Sequence, residues 1–272
     1  MSVDLHTHTT VSDGALTPAE LIAQAAARGL SVLAITDHDA LAAFDQVVRM
    51  APPGLEILPG AELTCHIDGR EAHILAYAVD PGDPAFRAIL QRLAEGRVER
   101  ARRIVDRLNG LGVDLDFADV TAIAGEGTIA RPHVAAALVA RGAVATLDEA
   151  FLRYLGRHAP AFVDKETLPP REAFRIIRSA GGVSSLAHPG TFRRDELIPV
   201  LVEAGLEGLE VRHTEHSTAQ SRHYEALSAG LGLLPTGGSD FHGTPGHRSR
   251  LGVPEVPDAW ADALIARAGG RR

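Results

Sequence analysis

The stretch Val3-Asp4-Leu5-His6-Thr7-His8 decides the fold, because it joins a strand-like start to two histidines at alternate positions. Successive side chains of a strand point to opposite faces, so we expect His6 and His8 to share one face. Asp13 follows in the segment Ser12-Asp13-Gly14. Paired imidazoles beside a carboxylate favour a site for divalent cations. The alternative is a polar strand end followed by an ordinary turn.

Two further groups of histidines and acids follow predicted strands. Asp37-His38-Asp39 comes directly after an apolar strand, and Asp240-Phe241-His242 follows the last one. We expect His38, Asp240 and His242 to be metal ligands. Asp37 and Asp39 are expected to accept hydrogen bonds from imidazoles and so orient them. The alternative for these two acids is that they begin the next helix.

Glu62, His73 and His188 complete the candidate ligands. Glu62 follows Gly60-Ala61 at the end of a predicted strand, and one carboxylate there can give an oxygen to each of two cations. His73, taken alone, fits a structural histidine, but its place beside Glu62 favours a ligand. Pro189 forces a turn directly after His188, which exposes this imidazole at a strand end.

The order of elements predicts an α/β barrel with about seven strands. Short apolar runs alternate with helical patterns, and this alternation implies parallel strands joined by right-handed crossovers. The candidate ligands fall at the C-terminal ends of strands, where barrel enzymes place their active sites. The predicted strands are Val3–His8, Ser31–Thr36, Leu55–Leu58, His73–Ala78, Gly182–Leu186, Gly208–Val211 and Leu233–Thr236.

The middle of the chain reads as helical throughout. We therefore expect a barrel domain formed by residues 1–100 and 165–272, interrupted by a helical insertion at residues 101–164. A long helix from Phe86 to Leu108 carries many arginines, and the pattern favours a solvated face over a groove for a nucleotide chain.

Several basic residues are candidates for substrate binding. Arg131-Pro132-His133 begins a helix, and this arrangement suits a phosphate pocket, although an ordinary helix start with a surface arginine is the alternative. Arg193 lies just past His188 and is a second candidate. His216 follows the strand that contains Glu210, and we expect it to line the cleft with Arg212 and His213.

Composition excludes several classes. The chain has 272 residues, 45% of them hydrophobic, and a net charge of −8, which argues against a globally basic nucleic-acid binder but not against a local basic channel. A single cysteine, Cys65, excludes an internal disulfide and a multi-cysteine zinc site. The N-terminus lacks the pattern of a signal peptide, so we expect a cytoplasmic protein that is not in a membrane.

Taken together, these motifs resemble the polymerase and histidinol phosphatase (PHP) family of the amidohydrolase superfamily. The resemblance implies a distorted seven-stranded barrel that carries three divalent cations, with manganese favoured and zinc or iron also compatible. By position it implies one cation held by His6, His8, Glu62 and Asp240, one by Glu62, His73 and His188, and one by Asp13, His38 and His242.

The insertion and the Glu210–Ser217 stretch are most similar to a bacterial branch of nucleoside 3′,5′-bisphosphate phosphatases. The resemblance implies hydrolysis of the 3′-phosphate of such nucleotides, for example adenosine 3′,5′-bisphosphate to AMP. It implies a small nucleotide as partner, leaves open 5′-to-3′ exonuclease action on short RNA, and indicates no protein partner.

Within this interpretation, Glu62, Asp240 and His188 are catalytic, and the substrate is held by Arg131, His133, His216 and Arg193. Three alternatives stay open. They are a histidinol-phosphate phosphatase, a metal-loaded proofreading module that binds nucleic acid, and a hydrolase of C–N bonds.

Overall fold

The chain forms two compact units. The computed structural model describes residues 2–125, 127–243 and 249–270. The first unit comprises Met1–Ile89 and Thr167–Arg272, and the second comprises Leu90–Glu166. The boundaries expected from the sequence lay at residues 100/101 and 164/165, whereas the units divide at 89/90 and 166/167.

A seven-stranded sheet forms the first unit. Each strand pairs with its neighbours in sequence, in the order β1 to β7. The strands are β1 (Ser2–Asp4), β2 (Leu30–Ile35), β3 (Glu56–Ile67), β4 (Arg70–Tyr77), β5 (Val183–Leu186), β6 (Gly208–His213) and β7 (Leu234–Gly238). Backbone hydrogen bonds also join the two ends of the sheet, since Leu5 N donates to Gly237 O at 3.2 Å and His8 N to Phe241 O at 2.9 Å. The sheet is therefore a nearly closed barrel, as expected.

One strand runs against the others. β1, β2 and β3 pair in parallel, as do β5, β6 and β7, but β4 is antiparallel to both β3 and β5. The expectation of parallel strands throughout is wrong at β4. The cause lies in the two-residue connection Asp68-Gly69, in which both residues have positive φ, +46° and +77°. Such an Asp-Gly pair makes a tight hairpin and leaves no chain for a crossover helix.

The helices lie between and beyond these strands. They are α1 (Pro18–Ala27), α2 (Ala42–Val47), α3 (Pro84–Gly110), α4 (Phe117–Ala124), α5 (Arg131–Ala140), α6 (Leu147–Ala150), α7 (Pro170–Ser179), α8 (Pro189–Phe192), α9 (Ile198–Ala204), α10 (Thr218–Leu231) and α11 (Asp258–Gly269). A π-helical turn at Phe151–Leu155 and a 3₁₀ turn at Asp195–Leu197 complete the set in the described residues. None of these helices combines the length and apolarity that a membrane crossing requires.

Local signals fix where helices begin. Thr17 Oγ1 accepts a hydrogen bond from Glu20 N at 3.3 Å, and Thr17 N donates to Glu20 Oε2 at 2.8 Å, which confirms the predicted capping box of α1. The same reciprocal cap begins α10 at Ser217 and Gln220. α11 was not predicted, although its Trp260 packs against the core cluster that contains Val3.

The second unit is helical and has its own core. Ile104, Leu108, Val134 and Leu138 belong to one buried cluster, and each such side chain stabilises the fold by roughly 1.5–3 kcal/mol on burial. The long-helix arginines do not all face solvent as predicted, because Arg97 and Arg100 are each only 7% exposed.

Arg100 shows why a buried guanidinium is tolerated in this unit. Its Nε donates to Val163 O at 2.7 Å, and its guanidinium carbon lies 5.7 Å from the centre of the Phe162 ring. Hydrogen bonding and a cation–π contact together offset the cost of removing the charge from water.

Candidate metal centre

Glu62, in the middle of β3, is the centre of a cluster of imidazoles. Its Oε2 atom lies 3.5 Å from His6 Nε2, 3.3 Å from His8 Nε2 and 3.0 Å from His38 Nδ1. His6 and His8 therefore share one face, as the alternation of β1 and its extension predicts.

The other oxygen of Glu62 faces a second pair of imidazoles. Oε1 lies 2.7 Å from His73 Nδ1 and 3.2 Å from His188 Nε2. In the β3–β4 hairpin Thr64 pairs with His73, so Glu62 and His73 are diagonal neighbours on one face of the sheet. The two oxygens of one carboxylate thus face different imidazoles, which is what a bridging ligand requires.

Asp240 also turns its two oxygens in different directions. Oδ1 lies 3.4 Å from His6 Nε2 and 3.2 Å from His8 Nε2. Oδ2 lies 3.4 Å from Nε2 of His213, a residue that we expected only to line the cleft.

Asp13 lies close to a third group of imidazoles. Its Oδ1 lies 3.4 Å from His242 Nε2 and 3.9 Å from His8 Nδ1, and its Oδ2 lies 3.8 Å from His38 Nε2. The turn that carries Asp13 is tight, because Gly14 N donates to Thr9 O at 2.9 Å. A Cβ atom on Gly14 would lie only 2.6 Å from the carbonyl of His8, so glycine is required there.

All nine predicted ligands therefore converge at one end of the barrel. Four sets of donor atoms, each within 4.8 Å of one another, could hold a cation in the described residues. The sets are His8, Asp13, His38 and His242; His6, His213 and Asp240; His6, His8 and Glu62; and His38, Glu62 and His73. They overlap with the three expected sets but differ from them, since His8 joins the Asp13 set and His213 joins the Asp240 set.

The nitrogen and oxygen atoms of the cluster fit a metal ion, because several of them are buried without a hydrogen bond. His6 Nε2, His8 Nε2 and Asp13 Oδ1 have no hydrogen-bond partner among the described residues. A buried polar atom left in this state costs roughly 1–3 kcal/mol. Imidazole nitrogens and carboxylate oxygens together suit manganese, zinc or iron, so a cation would satisfy these atoms.

The carboxylates of the cluster keep their negative charge. Burial alone would raise the pKa of Glu62, but His73, His38 and His6 outweigh it and hold that pKa well below its usual range. Asp13 and Asp240 behave in the same way, with pKa values well below normal despite burial. The three carboxylates are therefore ionised at neutral pH.

The pKa values of the buried imidazoles of His6 and His8 are shifted in opposite directions. Burial lowers the pKa of His6, but Glu210, Asp240 and Glu62 outweigh it and raise that pKa well above normal. For His8 burial prevails, and with repulsion from His242 it lowers the pKa.

Comparison with known proteins gives the same assignment. The PHP domain pattern matches residues 4–111. A 3′,5′-nucleoside bisphosphate phosphatase from Chromobacterium violaceum is 34% identical over 256 residues, which span 92% of this chain and 90% of that protein. The chain belongs to the PHP family.

Two further relatives agree with this membership of the PHP family. A 5′-3′ exoribonuclease from Haemophilus influenzae is 34% identical over 88% of this chain and 89% of its own. A crystal structure from Bifidobacterium adolescentis, provisionally named a metal-dependent phosphoesterase, is similar with a TM-score of 0.88. It is 32% identical and covers 97% of this chain and 96% of that one.

Residues behind the predicted ligands set the protonated form of their imidazoles. His6 Nδ1 lies 3.0 Å from Glu210 Oε1, and His242 Nδ1 lies 3.0 Å from the carbonyl oxygen of Asp240. His188 Nδ1 lies 2.9 Å from Thr191 Oγ1, whose own proton goes to His188 O. Each of these acceptors holds a proton on Nδ1, which leaves the Nε2 lone pair free to bind a cation.

Glu210 is the partner that the sequence analysis missed. It is fully buried in β6, where its second oxygen, Oε2, accepts a hydrogen bond from His188 N at 2.6 Å. It therefore fixes two predicted ligands at once. The signal was present, because a lone acid within the otherwise apolar run Gly208–Val211 must have a specific partner.

The acids beside His38 act differently from the prediction. Asp37 was expected to accept a hydrogen bond from an imidazole, but its oxygens accept from Thr9 N, Thr9 Oγ1 and Ser12 Oγ. It holds the turn after β1, and it reaches His8 only through Ser12, whose Oγ is 3.5 Å from His8 Nδ1. Asp39 Oδ1 accepts from Thr64 N at 3.2 Å and so supports β3.

Asp4 ties the two ends of the PHP barrel together. Its buried carboxylate accepts hydrogen bonds from Ser239 N, Ser239 Oγ and Gly252 N at 2.9, 2.6 and 2.7 Å, and from His6 N at 3.3 Å. One acid thus links the segment that carries His6 to the segment that leads into Asp240.

Two of the predicted ligands have an unusual backbone conformation. His188 and Asp240 have φ values of +30° and +52°, and a non-glycine residue at positive φ is typical of a functional site. Close approach adds a second constraint, because a Cβ on Gly238 would lie 2.4 Å from His6 N. Glycine is therefore required where β7 meets the extension of β1.

The predicted substrate contacts lie in several places. His216 Nδ1 lies 3.0 Å from Val211 O, and its Nε2 accepts from Gly190 N at 3.1 Å, so both ring nitrogens are engaged. Arg193 lines an open cleft of about 690 Å³. A contact with substrate stays a prediction for both residues.

Arg131 and His133 belong to the helical unit. Arg131 Nη1 donates to Leu155 O at 3.3 Å, and His133 Nδ1 accepts from Ala130 N at 3.1 Å at the start of α5. Their role in binding a phosphate also stays a prediction.

Proposed function

We propose that this PHP protein is a metal-dependent phosphatase that removes the 3′-phosphate of nucleoside 3′,5′-bisphosphates. One observation carries the proposal, namely that Glu62 lies among five imidazoles while several buried donors have no hydrogen bond. The substrate class is supported by the Chromobacterium violaceum phosphatase, which is 34% identical over 92% of this chain.

Glu62 is the residue around which the chemistry is arranged. Its Oε2 and Oε1 atoms face different imidazoles, so it would bridge two neighbouring cations, and Asp13, His38 and His242 would hold a third. When bound, divalent cations lower the pKa of water toward neutrality and neutralise phosphoryl oxygens. We propose manganese in all three positions, because the mixed imidazole and carboxylate donors suit it.

The protein supplies position and charge. Asp240 sits at the mouth of the cluster with its side chain 22% exposed, whereas the imidazoles of His6 and His8 are fully buried. A phosphate can therefore approach Asp240 and His188, whose side chain is 17% exposed, while water is excluded from the ligands beneath. We assign catalytic roles to Asp240 and His188 on this basis, and to Glu62 because its two oxygens face different imidazoles.

Recognition of the remainder of the substrate is assigned to basic residues. Arg131 and His133, at the start of α5, are proposed to bind the second phosphate. Arg193 and His216, in the segments after β5 and β6, are proposed to contact the nucleotide.

The test measures phosphate release by protein that has been stripped of metal and reloaded with manganese, zinc or iron. The panel holds adenosine 3′,5′-bisphosphate, AMP, histidinol phosphate and a short 5′-phosphorylated RNA. We expect the bisphosphate to be cleaved fastest and to give AMP. Faster release from histidinol phosphate would overturn the proposal in favour of that phosphatase.

A second activity has a specific observation behind it. The Haemophilus influenzae relative is named a 5′-3′ exoribonuclease and is 34% identical over 88% of this chain. We propose that short RNA is also a substrate, and the test is release of mononucleotides from the 5′ end. The His6→Ala variant controls for contaminating nuclease, since it should release none.

A further inference from the structure

We propose that His213 acts in the metal centre as a hydrogen-bond donor that positions Asp240, and that it is not a metal ligand. The inference rests on the proposed metal centre, and it assigns a role to an imidazole that the motif did not include. His213 ends β6, and its side chain is 2% exposed.

The protonated form of this ring follows from its neighbour in the chain. Glu215 N donates a hydrogen bond to His213 Nδ1 at 3.1 Å. A backbone N–H can only donate, so Nδ1 must carry the lone pair. The proton of the neutral ring then sits on Nε2.

In three of the predicted ligands the proton is on the other ring nitrogen, Nδ1. His6, His188 and His242 each turn Nδ1 toward an oxygen acceptor, which frees the lone pair of Nε2. In His213 the lone pair faces away from the cluster and an N–H points into it. Binding a cation through Nε2 would require a proton on Nδ1, where it would meet the N–H of Glu215.

Asp240 is the acceptor within reach, since His213 Nε2 is buried and makes no hydrogen bond among the described residues. His213 Nε2 lies 3.4 Å from Asp240 Oδ2, while Oδ1 of the same carboxylate faces His6 Nε2 and His8 Nε2 at 3.4 and 3.2 Å. Donation to Oδ2 would fix the rotation of the carboxylate and so keep Oδ1 directed at the cations. Orientation of a ligand by an outer hydrogen bond is a common feature of metal sites.

The experiment compares His213→Gln, His213→Phe and the control His223→Gln, which changes a largely exposed imidazole of the nearby cleft. Glutamine keeps an N–H donor and phenylalanine removes it. The first readout is the number of manganese ions bound per chain. We expect the same number in all three variants and in the wild type, because His213 holds none.

The second readout is manganese affinity, and the third is turnover. We expect His213→Phe to weaken the tightest manganese binding or kcat by about 10–100-fold, as for other outer partners of metal ligands. His213→Gln should recover most of that loss, with KM close to the wild-type value. Loss of one bound ion in His213→Gln, or equal defects in the two variants, would overturn the proposal.

The fourth readout needs no variant and no substrate. In zinc-loaded, ¹⁵N-labelled protein, the long-range ¹H–¹⁵N correlations of His213 should show a protonated Nε2 and an unprotonated Nδ1. The opposite pattern would show that His213 is a ligand. A failure of the phosphatase assay would leave this result unaffected, so the two proposals can fail separately.

Discussion

Replacing Asp4 with asparagine tests whether one buried acid holds the barrel closed. The carboxylate accepts four hydrogen bonds, from His6 N, Ser239 N, Ser239 Oγ and Gly252 N. Asparagine has nearly the same shape but only one acceptor oxygen. The hydroxyl of Ser239 can rotate to accept from the amide, whereas Gly252 N–H cannot. At least one buried donor therefore loses its partner.

The magnitude follows from opposing contributions. A hydrogen bond to a charged group contributes roughly 1.5–3 kcal/mol, and two such bonds would be lost or weakened. Burial raises the pKa of Asp4 above its usual value, which shows that the charge itself is costly here, and asparagine avoids that cost. We therefore expect a net loss of about 2–3 kcal/mol in the free energy of unfolding. This corresponds to a fall of about 4–12 °C in Tm.

The assay uses the single tryptophan as a local probe. Trp260 packs against the cluster that contains Val3 and Leu5, so its fluorescence reports unfolding of the barrel unit. Urea titrations are run with a chelator, because bound metal would add its own stabilisation. The matched control is Asp45→Asn, which breaks an exposed ion pair with Arg87 and should cost less than about 1 kcal/mol. If Asp4→Asn costs no more than this control, the reasoning is refuted.

Three more predictions follow from the site. His6→Ala and Asp240→Ala should abolish phosphate release and lower metal content while circular dichroism stays normal; near-normal rates with intact metal content would contradict the assignment. Glu210→Gln should weaken metal binding by about 10–100-fold, measured by titration of the apoprotein, because it loses the charge behind His6; unchanged affinity would remove Glu210 from the site. Gly238→Ala should cost at least about 1–3 kcal/mol, since its Cβ would lie 2.4 Å from the backbone nitrogen of His6. The control Gly230→Ala, with nothing within 4 Å in α10, should be neutral or stabilising, and equal losses in the two would contradict this account.

The sequence could predict the barrel and the convergence of its ligands for a physical reason. Alternation of strands and helices brings the ends of strands to one rim, and the histidines and acids occur at those ends. That His6 and His8 lie on one face follows from the period of a strand alone.

The remaining features depend on contacts between distant segments. The reversal of β4 followed from Asp68-Gly69, a signal that was present and not used. Burial of Arg97 and Arg100 could not be predicted, because it depends on the unit into which α3 packs. The role of Glu210 could not be predicted, because it depends on which imidazole lies beside it in the folded chain.

The sequence also could not predict which ring nitrogen of His213 carries the proton. It depends on a hydrogen bond from the backbone of Glu215, two residues later, and thus on the local turn after β6. Spacing of residue types carries no information about which ring nitrogen faces a backbone N–H.

The β3–β4 hairpin affects how the sequence around such a centre can vary in evolution. Glu62 and His73 are held as diagonal neighbours by the backbone pairing of β3 and β4, and the hairpin turns at Asp68-Gly69, between them in the sequence. Matched lengthening of both arms would extend the hairpin outward without moving either ligand. The number of residues between Glu62 and His73 can therefore vary among related sequences. The backbone hydrogen bonds between β3 and β4 keep the distance between the two side chains unchanged.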